Sequence, residues 1–127
     1  MILVDTSVWI EFLKGKEPCY KYLLYLLHHN EVLTLDIIFA ELMQGALSGG
    51  EVKMIRAYYD NLNKPEITEL LLKAAEESSK KKWIAQGLGL VDSTILFTAI
   101  QTESPLWTLD KNLKKQTPKE LRYEPQL

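Results

Sequence analysis

Short apolar runs alternate with longer amphipathic stretches along the chain, the pattern of an α/β protein with a mostly parallel sheet. Ile2, Leu3 and Val4 read as a first strand, closed by Asp5. Thr6 or Ser7 is placed to cap a helix running to about Lys14, where Gly15 stops it. Pro18 starts a second helix toward His29, and Val32 to Leu35 form a second short strand. Asp36 caps a third helix carrying Ile37, Ile38, Ala40, Glu41 and Leu42, which ends near Ser48 and the Gly49-Gly50 pair.

A fourth helix is expected from Glu51 to about Asn61. Beyond Pro65, Glu66 and Ile67 suit a short edge strand, and Thr68 caps a long helix reaching about Gln86. Gly87 and Gly89 punctuate the chain before a helix from about Val91 to Gln101. Leu106 to Leu109 is the next strand, ended by Asp110; Lys111 to Lys115 suit one helical turn and Leu121 to Tyr123 a last strand. Tyr20, Leu23, Leu24 and Leu27, like Ile55, Tyr58, Tyr59 and Leu62, recur at helical spacing. Most of these belong to the core. Trp9, Trp83 and Trp107 are assigned to the core as well.

A length of 127 residues bounds the chain to one domain spanning 1–127 with a single substantial core. With 46% hydrophobic and 25% charged residues the composition excludes a disordered chain. The longest aliphatic-aromatic stretch, Tyr22 to Leu27, falls far short of the roughly 20 residues of a membrane span. No basic leader precedes Ile2, so a cytoplasmic protein is expected. The lone Cys19 forms no internal disulfide, and His28 and His29, together on one helix, offer it no relay. It reads as a packed cysteine.

The chemistry lies in four acids: Asp5, Glu41, Asp92 and Asp110. Each stands at the edge of an apolar segment, where a carboxylate is costly without a cation or hydrogen-bond donors. Asp5 and Asp110 follow strand runs, so they should meet beyond the carboxyl edge of a parallel sheet, where α/β sites gather. Glu41 and Asp92 lie on helices leaving that edge, Asp92 in a first turn, where the helix dipole favours an anion. Asp before a helix is often only a cap and a helical Glu is usually solvated, but four in the same kind of position point to a shared cation. An all-oxygen set suits Mg²⁺ or Mn²⁺ better than zinc, and such a site suits phosphodiester hydrolysis. Thr6 and Ser7 are candidates to hold a water or a phosphate oxygen, and Thr108 and Asn112 to act as supporting donors.

These motifs resemble the PIN-domain ribonucleases, and within them the VapC-type toxins of toxin–antitoxin pairs. Val4-Asp5-Thr6-Ser7-Val8-Trp9-Ile10 looks like the first family motif and Ile38-Phe39-Ala40-Glu41-Leu42 like the second. Gly87-Leu88-Gly89-Leu90-Val91-Asp92-Ser93-Thr94-Ile95, with Ala99, looks like the third, and Leu106-Trp107-Thr108-Leu109-Asp110-Lys111-Asn112 like the fourth. The resemblance implies a PIN-like parallel sheet sandwiched between helices and a Mg²⁺- or Mn²⁺-dependent endoribonuclease inhibited by an antitoxin in its catalytic groove. It makes Asp5, Glu41, Asp92 and Asp110 the acidic quartet. Two departures stand out: Ser93-Thr94 is more polar than in many members, and Asn112 stands where some carry a further acid.

A formal charge of −2 is unexpected for an enzyme that meets RNA phosphates. The basic residues, however, cluster at Lys80-Lys81-Lys82 and at Lys111, Lys114, Lys115 and Lys119. Lys111 adjoins Asp110 and is placed to touch substrate phosphate, whereas the triple lysine has a solvated helix face as its ordinary reading. Expected partners are RNA, a small antitoxin, and a second subunit in a homodimer or hetero-oligomer, with no membrane. A PIN nuclease that works without an antitoxin is the nearest alternative. A phospho-accepting receiver domain fits poorly, since Asp5 is followed by Thr6 where an acidic pair would be wanted, and an inactive binding module has no use for four such acids.

Overall fold

The computed structural model describes residues 1–126. Three parallel strands, β1 (Ile2–Val4), β2 (Val32–Leu33) and β3 (Leu106–Trp107), are ordered β2-β1-β3. Ile2 lies opposite Val32 and Leu3 opposite Leu33 on one side, and Leu3 opposite Leu106 and Val4 opposite Trp107 on the other. Single parallel bridges, Leu33 to Asn63 and Leu106 to Arg122, extend the sheet by one residue at each edge. Leu3, Val4, Val32 and Leu106 are almost wholly buried, as a parallel sheet covered on both faces requires.

The helices are α1 (Thr6–Leu13), α2 (Cys19–His28), α3 (Asp36–Gln44), α4 (Gly49–Asp60), α5 (Leu70–Lys81), α6 (Leu90–Gln101) and α7 (Lys111–Gln116). α1 packs against α2 and α3, α3 against α4, and α5 against α6. Trp9, fully buried on α1, meets Phe12 and Phe39 edge-to-face at 5.6 and 5.0 Å. Such pairs add about 0.5–1.5 kcal/mol each beyond area burial. No helix among the described residues is long and apolar enough to cross a membrane.

Several boundaries differ from the sequence reading, each for a physical reason. β2 and β3 are two residues long rather than four, because their last residues turn to other partners. Thr34 N–H reaches Asn63 O, while Leu109 and Asp110 N–H go to the hydroxyls of Ser7 and Thr108. The edge bridge falls at Asn63, not at Glu66-Ile67, and the expected last strand contributes only the bridge at Arg122 after a 3-10 turn, Lys119–Leu121. Asp5 precedes α1 where Thr6 or Ser7 was expected, and Leu35 precedes α3, so that Asp36 is its first helical residue. The long helix begins after Glu69 rather than Thr68 and ends before Lys82 rather than near Gln86, since both residues take the left-handed conformation at φ 56° and 57°. A separate 3-10 turn, Ile84–Gln86, follows.

Candidate metal centre

β1 and β3 are parallel neighbours, so the residues just beyond their carboxyl ends meet at one edge of the sheet. Asp5 is 4% exposed there, and both of its side-chain hydrogen bonds fall on one oxygen. Thr108 Oγ1 donates to Oδ2 at 2.6 Å and Ser7 Oγ donates to the same atom at 2.7 Å. Each hydroxyl in turn accepts a backbone amide: Asp110 N–H to Thr108 at 3.0 Å and Leu109 N–H to Ser7 at 3.0 Å. These bonds leave Oδ1 of Asp5 without a donor among the described residues.

Asp110 precedes α7 and accepts Leu113 N–H through Oδ1 at 3.0 Å, a helix cap that fixes its rotamer. Glu41, on α3, is exposed, although its apolar neighbours in sequence suggest a buried face. Thr6 Oγ1 donates to its Oε1 at 2.8 Å and so holds it toward the start of α1. Asp92 is half-buried in the first turn of α6. Burial first, then the charges of Asp5, Asp110 and Glu41, push its carboxyl up to about 6. The three other acids therefore all act on Asp92.

Thr6 and Ser7 spend their hydroxyl protons on Glu41 and Asp5. Asn112 packs its side chain over Gly87, at φ +88°, where an added Cβ would lie 2.6 Å from Nδ2. That contact ties the turn before Asp92 to the turn after Asp110. Lys111 is exposed at the start of α7.

No three carboxylate, imidazole or thiol residues among those described form a ready-made metal cluster. The donor set nevertheless fits a hard cation: carboxylate oxygens only, with Oδ1 of Asp5 available and the charge on Asp92 uncompensated. Mg²⁺ keeps several of its waters and needs few direct protein oxygens, so separated carboxylates suit it.

The sequence profile of the PIN domain matches residues 2–117. The chain belongs to the PIN-domain family. This PIN domain is 35% identical over 119 residues to ribonuclease VapC32 of Mycobacterium tuberculosis, covering 90% of this chain and 88% of the relative. Its fold is similar to that of a toxin–antitoxin complex from Klebsiella pneumoniae, with a TM-score of 0.70 at 19% identity over 97% of this chain and 100% of that one. VapBC2 from Rickettsia felis, bound to a fragment of promoter DNA, gives 0.68 at 21% identity over 98% of both chains. At such identities the likeness is one of fold.

The supporting pair least visible in the sequence of this PIN domain is Ser78 and Ser93. Their hydroxyls meet at 3.2 Å in the buried seam between α5 and α6, one residue from Asp92. Thr94, Thr98 and Thr102 return their hydroxyls to the carbonyls four residues back, at 2.7, 2.8 and 2.7 Å, so the polar third motif leaves none of these three donors unpaired. Cys19 is buried, and burial, followed by the charges of Glu11 and Glu17, pushes its thiol up, away from the reactive thiolate.

Proposed function

We propose that this PIN domain is a Mg²⁺- or Mn²⁺-dependent endoribonuclease, the toxin of a cytoplasmic toxin–antitoxin pair. The observation that carries the reading is the meeting of Asp5 and Asp110 at the edge where β1 and β3 end, with Glu41 tied by Thr6 to the start of α1 and a half-buried Asp92 in the first turn of α6. Asp5, Glu41, Asp92 and Asp110 would hold the cation, which when bound polarises the scissile phosphate and neutralises the charge that builds on it. Thr108 and Ser7 fix the orientation of Asp5, Thr6 that of Glu41, and the Leu113 amide that of Asp110. The likeness to VapC32, a ribonuclease by name, supports the substrate class.

The antitoxin reading draws on a groove of about 460 Å³ between α1, α3 and α4, with Glu41 on its wall. Its apolar lining includes Ile10, Leu42, Leu47, Met54 and Ile55, and Leu47 is 91% exposed. A groove of this kind suits the apolar face of an amphipathic helix, which would cover Glu41 and block the site. Exposed Leu71 and Leu72 support a subunit contact at the start of α5.

The test is incubation with total cellular RNA plus Mg²⁺ or Mn²⁺, beside EDTA and Asp5→Asn controls, with new 5′ ends mapped. Discrete cuts needing both the metal and Asp5 are expected. Cuts that survive EDTA or Asp5→Asn would refute the mechanism.

A further inference from the structure

The charge of this chain is divided unevenly. Residues 1–69 carry six basic and ten acidic residues, and residues 70–127 carry nine and seven. The proposed metal ligands fall two in each part, so without them the first part has six basic against eight acidic residues and the second nine against five. The first part then carries a net of −2 and the second a net of +4.

Topology gathers part of the second group at one end of the molecule. α5 ends at Lys81 and α6 begins at Leu90, so the pair turns back on itself with Lys80 to Lys82 at the same end as Asp92. The Ser78–Ser93 hydrogen bond holds that alignment one helical turn from Lys82. The contact of Gly87 with Asn112 brings the start of α7, and Lys111 with it, to the same place. Lys111 and Lys115, four residues apart, share one face of α7.

Many cations of the chain are already engaged. Lys16 pairs with Glu11, Arg56 with Asp60, Lys81 with Glu77 and Lys114 with Glu124. Lys21 and Lys64 lie over tyrosine rings, and Arg122 caps α7 through the carbonyls of Lys115 and Thr117. Lys80, Lys82, Lys111 and Lys115 are exposed and, like Lys14, Lys53, Lys73 and Lys119, make no ion pair among the described residues. Complementing a helix dipole accounts for Lys80 and Lys115, in the last turns of α5 and α7. It does not account for the other two. Lys82 lies past the helix end, in the left-handed conformation that glycine adopts at least cost. Lys111 is a cation at the positive end of α7. Both lysines are held against local preference.

We infer that Lys80, Lys82, Lys111 and Lys115 form a phosphate track along which the RNA strand reaches the carboxylates, on the α5–α7 side and away from the apolar groove of α1, α3 and α4. The inference rests on the ribonuclease reading and adds the direction of approach.

The test measures binding of a labelled single-stranded RNA across a salt series, with every variant built on Asp92→Asn so that the RNA is not cut. Replacing all four lysines by Ala should weaken binding at least tenfold at ~0.1 M salt and flatten the log–log salt slope by about 3, at about 0.7 per lost contact. Arg at all four positions should keep the affinity within about twofold, since the charge is kept. Lys21→Ala with Lys53→Ala, on α2 and α4, should change little. Lys82→Gly with Lys111→Ala should raise the melting temperature while weakening RNA binding, opposite signs that no purely structural role produces. An unchanged slope in the fourfold Ala variant, equal losses from Lys21 and Lys53, or loss in the Arg variant would each overturn the track. Lysine-independent binding in the Asp92→Asn background, while the unsubstituted chain still cleaves RNA with metal, overturns the track alone. Failure of the unsubstituted chain either to bind or to cut RNA overturns the ribonuclease reading together with it.

Discussion

Replacing Asp92 by Asn removes a charge that the metal-free fold holds at a cost. Burial and the charges of Asp5, Asp110 and Glu41 raise its carboxyl from an ordinary value near 4 to about 6. Between those values the folded chain binds more protons than the unfolded one, so this group's contribution to stability falls as pH rises from about 4 through about 6. About two units correspond to a ceiling of about 3 kcal/mol, and solvent access to a half-buried group reduces that to about 1–2 kcal/mol. Asn carries no charge at any of these pH values. In EDTA at about pH 7.5, Asp92→Asn should therefore be more stable than the parent by about 1–2 kcal/mol. With an unfolding entropy of roughly 0.27 kcal/mol/K for a chain of this length, the melting temperature should rise by about 4–8 °C. At about pH 4 the two proteins should melt nearly together. Saturating Mg²⁺ should reverse the order by stabilising the parent, about 2.7 kcal/mol at a hundred times Kd, and not the variant. Calorimetric melts over this pH range, with and without metal, measure all of it. A variant that melts at or below the parent in EDTA at about pH 7.5, or a gap that does not change with pH, would refute the reasoning.

Thr108→Val keeps the shape of the side chain but removes the proton given to Asp5 and the acceptor for Asp110 N–H. Cleavage should fall about 10–100-fold with the fold intact, measured as kcat/KM together with a circular dichroism melt. Gly87→Ala places a methyl 2.6 Å from Asn112 Nδ2 at a positive φ, and denaturant titration should show a loss of more than about 1 kcal/mol. Adding Asn112→Ala should recover only the steric part. Ser93→Ala should cost about 1 kcal/mol by leaving Ser78 without its buried partner, whereas the double Ala variant should lie closer to the parent. A double-mutant cycle with no coupling would show that the Ser78–Ser93 bond contributes nothing.

The layered α/β fold was legible because a parallel sheet leaves continuous aliphatic runs, and Ile2 to Val4 with Val32 and Leu33 are such runs. What escaped depends on tertiary partners or on rare backbone geometry. Both ends of α5 are set by left-handed residues, Glu69 and Lys82, that are not glycine, so the usual punctuation is missing. The strands look longer in sequence than they are, because apolar character does not reveal that Leu109 N–H is taken by the Ser7 hydroxyl. At the site, strand ends and a helix first turn placed Asp5, Asp92 and Asp110 by topology alone. The reach of Thr6 to Glu41, across 35 residues, and the Ser78–Ser93 seam are side-chain meetings that periodicity does not encode.

The paired hydroxyls beneath Asp5 give the site a fixed sense of direction. A hydroxyl has a single proton, and in Thr108 and Ser7 an incoming backbone amide from the end of β3 settles where that proton points. Two arrows of polarity therefore start in adjacent peptide units and converge on one carboxylate oxygen. Swinging the Asp5 carboxylate out of that position would forfeit both hydrogen bonds at once, and the amides keep the hydroxyl protons from following it. The carboxylate thus behaves as a latch with one closed position, set when β3 docks beside β1. The strand pairing that builds the sheet is also the step that orients the chemistry at its edge.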